Sequence, residues 1–189
     1  MFLETLRCEN GTIAHLSYHQ NRLDATLKHW GIRPRYDLGH LILPPKEGVF
    51  RCRFLYSSAG FTIEFHPYVP KSINALKLIH ADSIDYPFKF ADRTALNTLY
   101  DQREECDDVL IVKNGYLTDT TISNIALYDG TRWLTPEKPL LEGTTRARLI
   151  HAGILLPAPL CLEDIAHAKK VAVFNALMGF VEVEHGIII

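Results

Sequence analysis

The sequence predicts a mixed α/β (α+β) chain built of two lobes, and three observations lead to that reading. Residues 2–8 read as a strand, and 49–68 read as a hairpin with alternating arginines at 51 and 53, the period of a half-buried strand. Between these stretches Leu23, Leu27 and Trp30 recur at helical spacing, so helices and strands are interspersed along the chain. A length of 189 residues, at roughly 150 per domain, suits one compact unit or two small lobes. With 47% hydrophobic and 22% charged residues the composition is globular, which excludes disorder, collagen and a mini-protein.

The first lobe is expected over residues 1–85 and the second over 86–189. Residues 2–8 read as a strand, Glu9-Asn10-Gly11 as a hairpin turn, and Thr12 to Leu16 as the returning strand. Ser17-Tyr18-His19-Gln20 has the form of a capping box opening an amphipathic helix, which Gly31 and Pro34 stop. Val49–Tyr56 and Phe61–Tyr68 flank Ser57-Ser58-Ala59-Gly60 as a second hairpin, and Ala75–Ala81 follows as a third strand. Tyr86-Pro87-Phe88-Lys89-Phe90 is an aromatic connector, after which Leu96, Leu99 and Tyr100 suggest a helix. Beyond it lie Val109–Val112, a turn at Lys113-Asn114-Gly115, Ile122–Tyr128, a turn at Asp129-Gly130 and Arg132–Thr135, a meander of short strands. Gly143–His151 and Glu163–Ala168 read as helices and Val171–Phe174 as a buried strand.

Charge narrows the partners. Lys and Arg number 20 against 22 Asp and Glu, a net charge of -2 with no basic run, which argues against a nucleic-acid surface and favours small-molecule partners. The longest stretch without Lys, Arg, Asp or Glu, Leu149 to Leu162, contains two prolines and falls short of the ~20 apolar residues of a membrane span. The N-terminus has no apolar signal core, so a cytoplasmic chain without membrane contact is expected. Cys8, Cys52, Cys106 and Cys161 form no Cys-X-X-Cys pair, and reduced packing thiols are expected in place of a metal site or disulfide framework.

Several residues could carry chemistry. Lys89 stands between Phe88 and Phe90; desolvation there would favour its neutral, nucleophilic amine, while the alternative is an ammonium that snorkels past the rings to water. Leu141-Glu142-Gly143-Thr144-Thr145-Arg146 places a glycine and two hydroxyls at a helix start, where amide N–H groups suit a phosphate or where an ordinary turn ends. Arg22 could add paired guanidinium donors or be a solvated helix residue. Asp119, followed by Asn124, could pair with a protonated ring nitrogen or close an Asx-turn. His15 and His19 read as surface or capping histidines.

Taken in order, these pieces resemble the class IV aminotransferase family, the fold-type-IV pyridoxal phosphate enzymes. Phe2 to Arg7 resembles its Phe-Glu-Thr-(Leu or Met)-Arg strand, and His19-Gln20-Asn21-Arg22-Leu23 its His-X-X-Arg-Leu helix. Lys89-Phe90-Ala91-Asp92-Arg93 is similar to the Schiff-base lysine followed four residues later by arginine, and Thr118-Asp119 with Asn124 to the family's Thr-Glu and later Asn. Thr135-Pro136, the Leu-X-Gly-X-Thr-Arg run at 141–146 and Asn175-Ala176-Leu177-Met178-Gly179 complete the match.

The resemblance implies a two-lobed D-amino acid aminotransferase-like fold with pyridoxal 5'-phosphate as cofactor. It implies that Lys89 forms the Schiff base and shuttles protons, that Arg22, Thr144, Thr145 and the turn at Asn175-Ala176 hold the phosphate, and that Asp119 pairs with the pyridine nitrogen. The implied protein is a short, N-terminally truncated member acting on a small amino substrate and pairing as a homodimer. Among the branches it lies nearest 4-amino-4-deoxychorismate lyase, which releases pyruvate and leaves 4-aminobenzoate for folate synthesis. A D-amino acid or branched-chain transaminase is the alternative, and a non-catalytic cofactor-binding relative a further one. Asp119 replaces the family's glutamate, and Leu55-Tyr56-Ser57 stands where the lyases often have Ser-Arg-Gly, which leaves Arg51 and Arg53 as substitutes for a carboxylate contact.

Overall fold

A computed structural model describes residues 1–188 and divides them into two compact units. The first contains Met1–Pro70 and Phe88–Asp92; the second contains Lys71–Pro87 and the chain from Arg93 onward. This differs from the 85/86 boundary read from the sequence, for a reason that lies in strand pairing and is given below.

In the first unit, β1 (Phe2–Glu9) turns at Asn10-Gly11 into the short β2 (Thr12–Ile13). Asn10 and Gly11 both have positive φ, 47° and 79°, which is what a tight hairpin asks of its two central residues. The return strand ends at Ile13 instead of Leu16, because α1 (Leu16–His29) starts earlier than the Ser17 capping box suggested. The residue preceding the helix is His15, in the left-handed region at φ 52°, and it makes no side-chain cap bond. After α2 (Leu38–Leu41), capped by Asp37, the long hairpin β3 (Val49–Ser57) and β4 (Gly60–Pro67) completes a sheet of order β2-β1-β3-β4.

Strand alternation sorts this sheet into two faces. Phe2, Leu6, Cys8, Cys52, Phe54 and Tyr56 turn inward and pack with Leu23 and Leu27 of α1 and with Leu38 and Ile42. At about 1.5–3 kcal/mol for each large apolar side chain removed from water, that layer holds the unit together. The opposite face carries charge, with Arg53 donating to Glu64 at 2.6 Å. Residues 88–92 return to this unit, since Leu3 N donates to Lys89 O at 2.9 Å, Phe2 bridges Phe90 and Ala91 N donates to Met1 O.

The second unit holds two sheets. β5 (Leu76–His80), expected to extend the first lobe, instead pairs in parallel with β6 (Asp108–Lys113) in the order β13-β5-β6-β7, where β7 is Tyr116–Leu117 and β13 is Ile187–Ile188. A parallel partner needs a long crossover, here residues 81–107 with α3 (Thr94–Tyr100), and this pairing moves the boundary back to Pro70/Lys71. The other sheet runs β10-β9-β8-β11-β12, from β8 (Asn124–Tyr128), β9 (Trp133–Pro136), β10 (Leu155–Ala158), β11 (Lys170–Asn175) and β12 (Gly179–Glu182). Helix α4 (Thr144–His151) crosses between the parallel pair β9 and β10, and α5 (Leu162–His167) precedes β11. The core gathers Leu76, Leu110, Val112, Leu117, Ile125, Leu127 and Val173. All four cysteines are free thiols, and Cys8, Cys52 and Cys106 are buried. Among the described residues no helix is long and apolar enough to cross a membrane.

Candidate functional site

The chemistry-bearing residues fall in both units, and each unit contains a buried carboxylate. In the first, Glu4 lies on the inward face of β1 with no exposed surface. It accepts from Arg22 Nε at 2.8 Å and Arg22 Nη2 at 2.6 Å, and pairs with His19 Nδ1 at 2.7 Å. Helix α1 delivers both partners, because His19 and Arg22 are three apart and share one face. Burial pushes the Glu4 carboxyl up, but the Arg22 charge and the hydrogen bonds from His19 and Arg22 outweigh it and hold the group at about 2. His19 is therefore a buried structural partner, contrary to its reading as a surface or capping residue. Arg22 is fixed by a bidentate carboxylate, with its side chain 15% exposed.

Lys89 is half-buried in the segment bound to β1. Phe88 and Phe90 both join an aromatic cluster with Phe2 and Trp30, at centroid separations of 5.5 to 6.5 Å. Phe90 N donates to Phe88 O at 2.8 Å, so Lys89 is the central residue of a tight three-residue turn. The two phenylalanines anchor the turn through that cluster.

In the second unit, Asp119 is buried in the loop between β7 and β8. Its Oδ1 accepts from Asn124 Nδ2 at 2.8 Å and its Oδ2 from Leu141 N at 2.9 Å. Burial raises the carboxyl to about 7, moderated by those two bonds and by the Arg146 charge. The loop around it is tightly tied. Thr120 Oγ1 accepts from Ile122 N and Ser123 N, and Thr121 N and Oγ1 both donate to Asp108 Oδ1. Arg93 Nη2 donates to Thr121 O at 2.9 Å. Asp108 is also buried, its Oδ2 has no hydrogen-bond partner, and burial raises its carboxyl above the usual range.

Two further predicted segments connect to this loop. Thr144 and Thr145, both buried, open α4 directly after Leu141-Glu142-Gly143, and Gly143 at the cap position provides no side-chain cap. Asn175 Nδ2 donates to Ser123 Oγ at 3.0 Å, while its Oδ1 accepts from Leu177 N and Met178 N, both at 2.9 Å, closing the turn that contains Ala176. Asp119, the start of α4 and the Asn175 turn are thus joined by hydrogen bonds within one unit, whereas Arg22 and Lys89 belong to the other. The sequence reading gave no role to Glu4 or Asp108. Glu4 carried a usable signal, since it shares the apolar register of Phe2, Leu6 and Cys8, where a carboxylate requires a buried partner.

Residues 66–185 match the family described as amino-transferase class IV. The chain belongs to the class IV amino-transferase family, a family of enzymes. A protein of Haemophilus influenzae described only as uncharacterized is 34% identical over 182 residues, 93% of this chain and 97% of that one. The crystal structure of a candidate 4-amino-4-deoxychorismate lyase from Haemophilus somnus is 35% identical with a TM-score of 0.88, covering 94% of this chain and 96% of its own. A candidate amino-acid aminotransferase from Mesorhizobium loti shares the fold at 22% identity and a TM-score of 0.83, covering 99% of both chains. A hypothetical aminotransferase from Mycobacterium tuberculosis, solved in a PLP-bound form, shares it at 17% identity and 0.77, over 98% of this chain and 80% of that one.

Proposed function

We propose that this protein is a pyridoxal phosphate enzyme that acts as a 4-amino-4-deoxychorismate lyase, eliminating pyruvate to leave 4-aminobenzoate in folate synthesis. The observation that carries the cofactor assignment is Asp119: a fully buried carboxylate, raised to about 7, whose contacts are neutral donors and which is tied to the loop that opens an uncapped helix. Such a group gains from a cationic N–H partner, and each of its oxygens keeps an acceptor position for one. These features fit the cofactor. The lyase branch rests on the likeness to the Haemophilus somnus protein, which extends over almost all of both chains.

When bound, pyridoxal phosphate supplies a protonated ring that draws electron density from the substrate carbon. Asp119 would accept the ring N–H and favour its protonated form. Thr144, Thr145 and the amides opening α4 bind the phosphate, with the Asn175-Ala176 turn beside the same loop. Arg22, kept in one orientation by Glu4, would be the first unit's guanidinium for a phosphate. Lys89 would be the amine that holds the cofactor, and its Nζ would be the base that takes the substrate proton. The reading includes a cytoplasmic homodimer.

The test is to incubate the protein with pyridoxal phosphate, reduce with borohydride and map the modified lysine by mass spectrometry, then assay release of 4-aminobenzoate and pyruvate. Label on Lys89 with both products released, and loss of both in Lys89→Ala, is the expected result. Label on Lys89 with conversion to pyridoxamine phosphate by an amino acid alone would make the protein a transaminase. Label with neither reaction would make it a non-catalytic relative, and label scattered over surface lysines would overturn the cofactor assignment.

A further inference from the structure

Asn124, the first residue of β8, sits where the two halves of the second unit's site meet. Its Nδ2 donates to Asp119 Oδ1 at 2.8 Å and to Leu141 O at 3.0 Å, while Leu141 N donates to Asp119 Oδ2 at 2.9 Å. The backbones of Asp119 and Asn124 also bridge each other. Three residues therefore form a closed hydrogen-bonded ring, in which both hydrogens of the Asn124 amide are committed.

Two residues beyond Leu141, Gly143 presses against that ring. Its φ and ψ, -69° and 142°, are extended values open to any residue, so backbone freedom does not explain a glycine. Space does. A Cβ on residue 143 would lie 1.9 Å from Asn124 Oδ1 and 3.1 Å from its Cγ. Asn124 is 6% exposed and cannot retreat without breaking its bond to Asp119.

We propose that Asn124 is a positioning residue that couples the Asp119 carboxylate to the start of α4, and that Gly143 lacks a side chain in order to admit it. The coupling rests on the cofactor reading only for what the two ends bind; the geometry stands in the protein alone. Displacement at the start of α4 is transmitted to Asp119 through one rigid amide, and a change at Asp119 returns by the same route.

A double-mutant cycle on Gly143→Ala, Asn124→Ala and the combined variant tests this. Three properties are read: thermal stability without cofactor, pyridoxal phosphate affinity by fluorescence, and the Asp119 titration midpoint by carbon NMR. The Asp119 carboxyl also senses the charges of Arg146 and Glu142, which all the variants keep. Each single variant is expected to lower stability and weaken cofactor binding about tenfold, the scale of one hydrogen bond to a charged group. Each is also expected to move the Asp119 midpoint above the wild-type value, because the Asn124 bond that favours its charged form is lost. With Asn124 already truncated, Gly143→Ala should cost little more. Additive losses, or an Asp119 midpoint unmoved in both single variants, would overturn the proposal. Should Gly143→Ala alone fail to fold, the combined variant decides: a folded chain supports the coupling and an unfolded one overturns it. If the wild type binds no pyridoxal phosphate, the cofactor reading fails, while stability and the NMR midpoint still judge the coupling.

Discussion

Glu4 and Asp119 are both carboxylates removed from water, and they move in opposite directions because of what surrounds them. Glu4 meets a guanidinium and an imidazole and is held at about 2; Asp119 meets neutral donors and rises to about 7. For Glu4 the folded value lies below the unfolded one, so its contribution is present above pH ~4.3 and is lost as pH falls through about 2. The shift corresponds to about 3 kcal/mol. Denaturant titrations at pH 7 and pH 3 should show wild-type stability falling across this window, and Glu4→Gln should be less stable at pH 7 by about 3–5 kcal/mol with a flatter profile. Of this cluster only Arg22 was singled out for chemistry from the sequence, and the pairing was not legible. Glu4 lies 15 residues from His19 and 18 from Arg22, and no local pattern shows which side chains a sheet and a helix will bring together. Asp119 was legible only with its family motif, since a threonine-rich turn also explains an aspartate.

At the scale of elements, periodicity served where a segment packs on its own neighbour and failed where a distant partner decides. The hairpin β3 and β4 and the helices α3 and α4 fall close to where spacing placed them. Helix α1 begins ahead of its capping signal because the chain leaves β2 through His15 in a left-handed conformation, a geometry that composition does not encode. Strand β5 was read as a strand, yet its sheet depended on a parallel partner beyond α3. The turn between β11 and β12 depends on Asn175, which closes it with two backbone bonds and ties it to Ser123. Asn175→Ala is expected to cost about 1–3 kcal/mol in urea unfolding and to weaken pyridoxal phosphate binding, whereas Asn175→Asp keeps the acceptor and should retain most of the stability.

For the whole molecule, ligand linkage provides the measurement that integrates the parts. If pyridoxal phosphate binds only the folded chain, a concentration one hundred times its Kd adds about 2.7 kcal/mol, and the melting temperature climbs with further ligand. Calorimetry should show that climb in wild type and a smaller one in Lys89→Ala. A flat response in wild type would leave no specific site for the cofactor. The expected two-part organisation was legible because strands and helices are interspersed over a length that suits two lobes; the boundary was misplaced because β5 pairs forward along the chain and residues 88–92 pair backward.

The return of Phe88–Asp92 to β1 means that neither unit is a continuous stretch of the gene. A fragment ending at residue 85 would lack Lys89 and strip Leu3 N of its acceptor, and a fragment starting at 86 would lose β5, the parallel neighbour of β6. Recombination between relatives, or splitting the protein into reporter halves, must therefore preserve three crossings of the chain. A single cut near the midpoint leaves both pieces with interrupted sheets.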